Sequence, residues 1–342
     1  MRPKDDAVDE ELAMKAMVVV PDGGDGSLRW QELPDPEPGP GEVVIAVRAA
    51  AVNRADLSMR RGTYRQDATA RRDGIVVAGL EAAGEVVAVG EGVTRLAPGD
   101  RVMTMCSGGY AELVAVDARL PMPVPAGVAW DQAAALPVAL MTELDALATA
   151  AELRAGESVL VTAGGSGVGT IGVQVARILG AGTVVTTVRG PAQRELLLEL
   201  GADAALDGDD PELADAIRQA SDGGVEVAID HVGASALPAN LDALVPGGRL
   251  VSVGRLGGTV AELDMDLLAR KRLRLIGVTF RTRSLDQYGA IARLVEERLL
   301  DSVARGAIRT VIGARYPMTD ALAAQERLRT GELHGKIVLT LP

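Results

Sequence analysis

Cysteine is nearly absent from this chain of 342 residues, and Cys106 stands alone. One thiol cannot close an internal disulfide, so an oxidising compartment is not implied, and a four-cysteine zinc site is excluded. Histidine is almost as scarce, with only His231 and His334. A zinc site built from Cys106, His231 and His334 would need carboxylates and an improbable geometry, so the residues read as metal-free. No His adjoins Cys106 to activate it, and it reads as a small buried or edge residue. Aromatic residues are few: two Trp, four Tyr and one Phe. With 48% hydrophobic residues, the core must be built from small aliphatic side chains. No apolar run reaches the length of a membrane span. Basic residues are outnumbered, 35 Lys and Arg against 47 Asp and Glu, for a formal charge of -12. Such a surface repels phosphate backbones and anionic lipid, which sets aside nucleic-acid and membrane partners. The opening "MRPKDDAVDEELA" is acidic and lacks the apolar segment of a secretory signal. It reads as a disordered tail over residues 1–13, and the compartment as cytoplasmic.

The length suggests two domains. Up to about residue 135 the chain is rich in Val runs: "MKAMVVV", "EVVIAVRAAAVN", "GIVVAGLEAAGEVVAVG", "DRVMTM" and "AELVAV". Gly and Pro turns separate them, and short strands at this spacing suggest an antiparallel barrel or sandwich. Near Trp130 the character changes. "DQAAALPVALMTELDALATAAEL" reads as a helix broken at Pro137. Strands and helices then alternate, from "SVLVTA" through "GTVVTTV", "AALD" and "GVEVAIDHVG" to "GGRLVSVG". These strands are apolar throughout, as in a sheet covered on both faces, which predicts a doubly wound α/β unit. A long helix over 285–299 follows "LRLIGVTF", and the final strand–helix–strand segment is expected to rejoin the first domain. The division is therefore 14–135 with 285–342 as one domain, and 136–284 as the other.

In "VTAGGSGVGTIGVQVARILGA", four glycines (Gly164, Gly165, Gly167 and Gly169) stand where the first strand of this unit turns into a helix. Bare backbone there lets a pyrophosphate approach the positive end of the helix. The alternative is a loop required only for close packing. An NAD site usually carries Asp or Glu about 20 residues further on, accepting from the ribose hydroxyls. Here "VVTTVRGPAQR" has no carboxylate and offers Arg189 and Arg194 instead. Guanidinium groups suit a 2′-phosphate, so the cofactor is expected to be NADPH.

From Met14 onward the chain resembles the medium-chain dehydrogenase/reductase superfamily, and within it the zinc-independent quinone oxidoreductase (ζ-crystallin-like) branch. The resemblance rests on "AAAVNRADLSMRRGTY", "GLEAAGEVVAVGEGV", "PGDRV", "GGYAEL", "AALPVALMT", "GGSGVG", "LGAD", "PGGRLVSVG", "GVTFRTRS" and "HGKIVL". Where zinc-dependent relatives carry Cys and His ligands, this chain has Asn53 and Leu80. The resemblance implies a GroES-like β-rich catalytic domain and a Rossmann domain with the substrate cleft between them. It implies NADPH-dependent reduction of a quinone or another conjugated carbonyl, and a homodimer. By motif position, Asn53 and Tyr64 would line the acceptor pocket and Thr142 would sit near the nicotinamide. Gly164, Ser166, Gly167, Val168 and Gly169 would hold the pyrophosphate. Val253, Gly254, Thr279 and Lys336 lie in segments that touch the cofactor in relatives.

Ser58, Gln193 and Glu143 depart from the family pattern. Asn53 is expected to polarise a carbonyl, and Tyr64 either to donate a proton or to wall the pocket. Arg54 and Asp56 read as a structural pair, and Glu81 as a hydrogen-bonded structural carboxylate. The scarcity of aromatic walls keeps a smaller enone or an enoyl thioester open as the acceptor. A non-catalytic NADPH-binding protein is the remaining alternative.

Overall fold

The computed structural model describes residues 13–63, 71–72, 74–331 and 333–341. Tyr64 and residues 1–12 of the expected tail lie outside the described residues. Ala13 opens the strand Ala13–Val20, which pairs antiparallel with Ser27–Pro34. That second strand reads weakly in the sequence, because the alternation in "SLRWQELP" breaks at Gln31 and Glu32.

A seven-stranded sheet forms the β-rich part. Its order is Ile312–Pro317, Lys336–Thr340, Glu42–Val52, Glu81–Val89, Arg101–Met105 and Met122–Pro123, and Leu113–Asp117 also pairs with Glu42–Val52. The last strand runs antiparallel to Glu42–Val52, with Ile337 opposite Val52. On the other side of the same strand, Ala50 faces Ala82 of Glu81–Val89. These two registers bring Lys336, Asn53 and Glu81 to one end of three adjacent strands, although 283 residues separate Lys336 from Asn53. The run "GIVVAGLEAAGEVVAVG" looks continuous but breaks at Gly79, whose φ is +104°. A Cβ there would lie 2.6 Å from the backbone nitrogen of Tyr110, so only glycine allows this close approach.

The second sheet has six strands, all paired in parallel: Ala204–Asp207, Thr183–Val188, Ser158–Val161, Val225–Asp230, Leu244–Ser252 and Arg274–Gly277. In chain order this is 3-2-1-4-5-6, the doubly wound arrangement. The order reverses between Ser158–Val161 and Val225–Asp230, and ligands bind outside the carboxyl ends of strands at such a point.

The segment before the first parallel strand is not one helix. Trp130–Ala134 ends before Pro137, which begins the helix Pro137–Leu144, and Asp145–Ala150 is a wider π turn. Leu136, Leu140, Met141, Leu144 and Leu147 are fully buried there among side chains of both sheets. Each such burial contributes about 1.5–3 kcal/mol. This apolar wedge holds the two sheets in a fixed relation and so positions the residues between them.

Candidate functional site: a glycine loop joined to a buried lysine

The strand Ser158–Val161 ends in a turn at Ala163, whose φ of 51° is left-handed. For a residue with a Cβ this costs about 1–2 kcal/mol, a strain typical of functional turns. The four glycines follow. A Cβ on Gly164 would lie 2.0 Å from Thr186 Oγ1, on Gly165 2.6 Å from the Gln193 amide, and on Gly169 2.4 Å from the Ala163 carbonyl oxygen. On Gly167 it would lie 2.4 Å from Lys336 Cδ. Close packing thus accounts for each of the four. The helix Gly169–Ile178 starts at the last of them. Ser166 takes two of that helix's first N–H groups: Gly169 donates to its Oγ at 3.0 Å and Thr170 to its carbonyl oxygen at 2.9 Å. Ser166 is exposed and Val168 half-buried.

At the end of the next strand, Arg189 is exposed and donates from Nη2 to the Gly331 carbonyl oxygen at 3.2 Å. Arg54 comes to the same place from the other sheet. The Nη2 atoms of Arg189 and Arg54 lie 3.4 and 3.7 Å from where a Cβ on Gly331 would stand. Arg54 does not pair with Asp56, contrary to the expectation from sequence. Burial lowers the affinity of the Arg54 guanidinium for its proton, and the charge of Arg189 lowers it further. Among the described residues neither Arg189 nor Arg54 pairs with a carboxylate. Two like charges brought together without a counter-ion fit a phosphate, which can bond both guanidiniums. Gln193 is buried under Gly165 and bonds the ring of His334, whereas Arg194 is exposed on the helix Pro191–Glu199.

Asn53, Glu81 and Lys336 form a buried cluster. Lys336 Nζ donates to Asn53 Oδ1 at 2.7 Å and to Glu81 Oε1. Asn53 Nδ2 donates to the same Glu81 oxygen at 2.9 Å and to the Ala51 carbonyl oxygen at 3.3 Å. The other Glu81 oxygen accepts the Val138 N–H at 2.8 Å, at the start of the helix Pro137–Leu144, where the dipole favours a carboxylate. Glu81 is fully buried and Lys336 is 3% exposed. Beside them, Asp56 Oδ2 accepts from Tyr110 Oη and from the Asn53 backbone, both at 2.7 Å. Burial pushes the Asp56 carboxyl up to about 7, against those hydrogen bonds, and Glu81 adds to the rise. Cys106 is buried nearby; burial first, then Glu81 and Asp56, raise its thiol well above the ordinary range. No group of three or more His, Cys, Asp or Glu suited to hold a metal ion occurs among the described residues.

Sequence reasoning does not reach the residues beside Thr142. Thr142 itself is half-buried, but Glu143 is fully buried and His231 nearly so. His231 Nε2 lies 2.9 Å from Glu143 Oε1. The contact lacks hydrogen-bond alignment and is an ion pair when His231 is protonated, so both Glu143 oxygens lack a directed donor. Gly172 of the glycine-loop helix makes room for it, since a Cβ there would lie 2.6 Å from Glu143 Oε2. The unusual Glu143 in "MTELDAL" and the His in "IDHVG" are the only signals in the sequence, and they are 88 positions apart. Two residues on, Asp145 takes Arg283 Nη2 at 2.5 Å. Val253 and Gly254 donate to the Asp230 carbonyl oxygen at 2.8 and 2.9 Å, at the switch point. Thr279 is exposed beyond the edge strand Arg274–Gly277, away from the glycine loop in the sheet order.

Comparison with known proteins agrees with this architecture. Residues 39–126 match the alcohol dehydrogenase GroES-like domain, and residues 167–297 match the zinc-binding dehydrogenase family. Quinone oxidoreductase of Pseudomonas aeruginosa is 32% identical over 324 residues, covering 93% of this chain and 96% of that protein. The quinone oxidoreductase of Thermus thermophilus, solved alone and with NADPH, superposes with a TM-score of 0.81 at 32% identity, covering 96% of this chain and all of that one. A mycocerosic acid synthase-like polyketide synthase of Mycobacterium tuberculosis is 31% identical over 339 residues. That stretch is 97% of this chain but only 16% of the synthase, so the chain spans a small part of that relative. With a GroES-like part, a Rossmann part and a full-length relative above 30% identity, the chain belongs to the medium-chain dehydrogenase/reductase superfamily, in its quinone oxidoreductase-like branch.

Proposed function

We propose that the chain is a zinc-independent, NADPH-dependent reductase of electron-poor conjugated carbonyls, with quinones as the leading acceptor class. The observation that carries this reading is Lys336. Its stem packs on Gly167 of the glycine loop and its ammonium reaches Asn53 and Glu81, so one side chain joins the cofactor side to the acceptor side. Zinc independence is supported by the donor set: the amide of Asn53 is engaged by Lys336 and Glu81, and Leu80 has no ligand atom. NADPH is supported by the Arg54 and Arg189 guanidiniums, with no carboxylate at the end of Thr183–Val188. Bound there, the reduced nicotinamide supplies a hydride. The glycine loop would hold the pyrophosphate, and Arg54 with Arg189 the 2′-phosphate. Thr142, Val253 and Gly254 would flank the nicotinamide half, with Thr279 and Arg194 at the margins of the site. Tyr64 would line the acceptor pocket.

The stretch shared with a polyketide synthase favours a second acceptor class, the α,β-unsaturated thioester. The experiment is NADPH consumption with 1,4-benzoquinone, an aliphatic enone and a crotonyl thioester. Turnover of the thioester alone assigns the second class. NADPH binding without any turnover makes this a cofactor-binding protein rather than an enzyme.

The two units are taken as 14–135 with 285–342, and 136–284. We also propose a homodimer. The edge strand Arg274–Gly277 exposes Leu275, and Leu256, Val260 and Met265 before it are exposed as well, which leaves an apolar edge for a second copy. A light-scattering mass of one chain at micromolar concentration would overturn it. No helix among the described residues is long and apolar enough to cross a membrane.

A further inference from the structure

The resemblance makes Asn53 the group that polarises the acceptor carbonyl. Its bonding leaves little to do so. Its two amide hydrogens are given to Glu81 Oε1 and the Ala51 carbonyl oxygen, and its oxygen accepts from Lys336. An ammonium has three N–H donors. Among the described residues Lys336 gives two of them, to Asn53 and Glu81, and the third has no acceptor. Lys336 is therefore the group at this place with a donor to spare.

We propose that Lys336 is the catalytic cation of the reaction, its ammonium bonding the acceptor's carbonyl oxygen as negative charge builds there, while Asn53 and Glu81 hold it in place. The proposal rests on the reductase reading above. In the step, hydride brings an electron pair to the β-carbon of the acceptor. The conjugated π pair moves onto the carbonyl oxygen, and the resulting enolate takes a proton from solvent. Lys336 contributes one hydrogen bond to that oxygen and is not the proton source. Two features prepare it. Glu81 is fully buried and fixed by the Val138 N–H, so the ammonium is held in one orientation. The strand register opposite Val52 delivers it from a rigid sheet rather than from a loop.

A purely structural role is the competing account, because removing Lys336 leaves Glu81 buried without its cation. Two variants separate the accounts: Lys336→Met, and the double variant Lys336→Met/Glu81→Gln, which removes both charges together. For each, thermal melting, the NADPH dissociation constant from nicotinamide fluorescence, and kcat with 1,4-benzoquinone and an aliphatic enone are measured. The double variant is expected to melt near wild type and to bind NADPH as wild type does. Its kcat should stay depressed on the order of 100-fold, the scale of one lost oxyanion donor. Recovery of kcat in the double variant would overturn the proposal in favour of a structural ion pair. A matching loss of NADPH binding would overturn it in favour of a cofactor ligand. Wild type that binds NADPH but turns over no acceptor would defeat the reductase reading itself, and Lys336 with it.

Discussion

His231 Nε2 lies 2.9 Å from Glu143 Oε1, joining the carboxyl end of Val225–Asp230 to the helix Pro137–Leu144. Burial opposes the imidazolium, but the charge of Glu143 and then Asp230 outweigh it, so the His231 pKa is raised above 6.5. A raised pKa means that the folded state holds the proton longer than the unfolded state does. The pair's contribution is fully present below the unfolded value of 6.5 and is lost as pH rises through the folded value. Thermal melting of wild type against Glu143→Gln should show the wild-type advantage largest at mildly acid pH and shrinking on the alkaline side. An advantage that grows with pH would contradict the assignment.

Gly172 depends on the same carboxylate. Alanine at a mid-helix glycine ordinarily stabilises by about 1 kcal/mol. Here its Cβ would lie 2.6 Å from Glu143 Oε2 and 3.2 Å from Val161 Cγ1, so Gly172→Ala should destabilise by about 1–3 kcal/mol. In a Glu143→Ala background the closer contact is gone, and the cost of Gly172→Ala should largely vanish. A double-mutant cycle by urea unfolding measures this coupling.

Arg54 and Arg189 predict cofactor choice. Arg54→Ala and Arg189→Ala should each raise the KM for NADPH about tenfold, the scale of one charge-assisted hydrogen bond, and leave the KM for NADH unchanged. Equal effects on both cofactors would mean that the guanidiniums do not contact the 2′-phosphate.

Asp56 has the opposite chemistry from a surface carboxylate. Its pKa rises from 3.8 to about 7 because burial disfavours the charge. Between those values the folded state holds a proton that the unfolded state has lost, so this group's contribution falls as pH rises and is level above about 7. Asp56→Asn keeps an oxygen for Tyr110 and cannot ionise. Its stability relative to wild type should therefore rise between pH 4 and pH 7, as followed by thermal melting.

The fold is legible where local pattern and global position agree. The glycine run between strand and helix, the apolar parallel strands and the break at Pro137 all follow from neighbouring residues. Ser27–Pro34 escapes because it is a half-exposed hairpin partner whose alternation is broken by charge. The break at Gly79 escapes because its cause, Tyr110, is remote in sequence. The site divides along the same line. Glycines 164, 165, 167 and 169 and the missing acid before Arg189 are readable within one βαβ unit. The partners of Asn53 are not, since Glu81 and Lys336 arrive 28 and 283 residues later through strand register. Arg54 reads as a partner of Asp56 two positions away, but the helix Arg54–Arg60 turns Asp56 inward to Tyr110 and leaves Arg54 beside Arg189.

Oxidation of NADPH and of NADH by wild type, followed in parallel against 1,4-benzoquinone, 9,10-phenanthrenequinone, an aliphatic enone and a crotonyl thioester, without added metal and again with a chelator, separates a metal-free reductase from a binding protein. Turnover of at least one conjugated acceptor, with NADPH preferred and the chelator without effect, is the predicted result. Tight NADPH binding with no turnover of any acceptor, or activity abolished by the chelator, would contradict it.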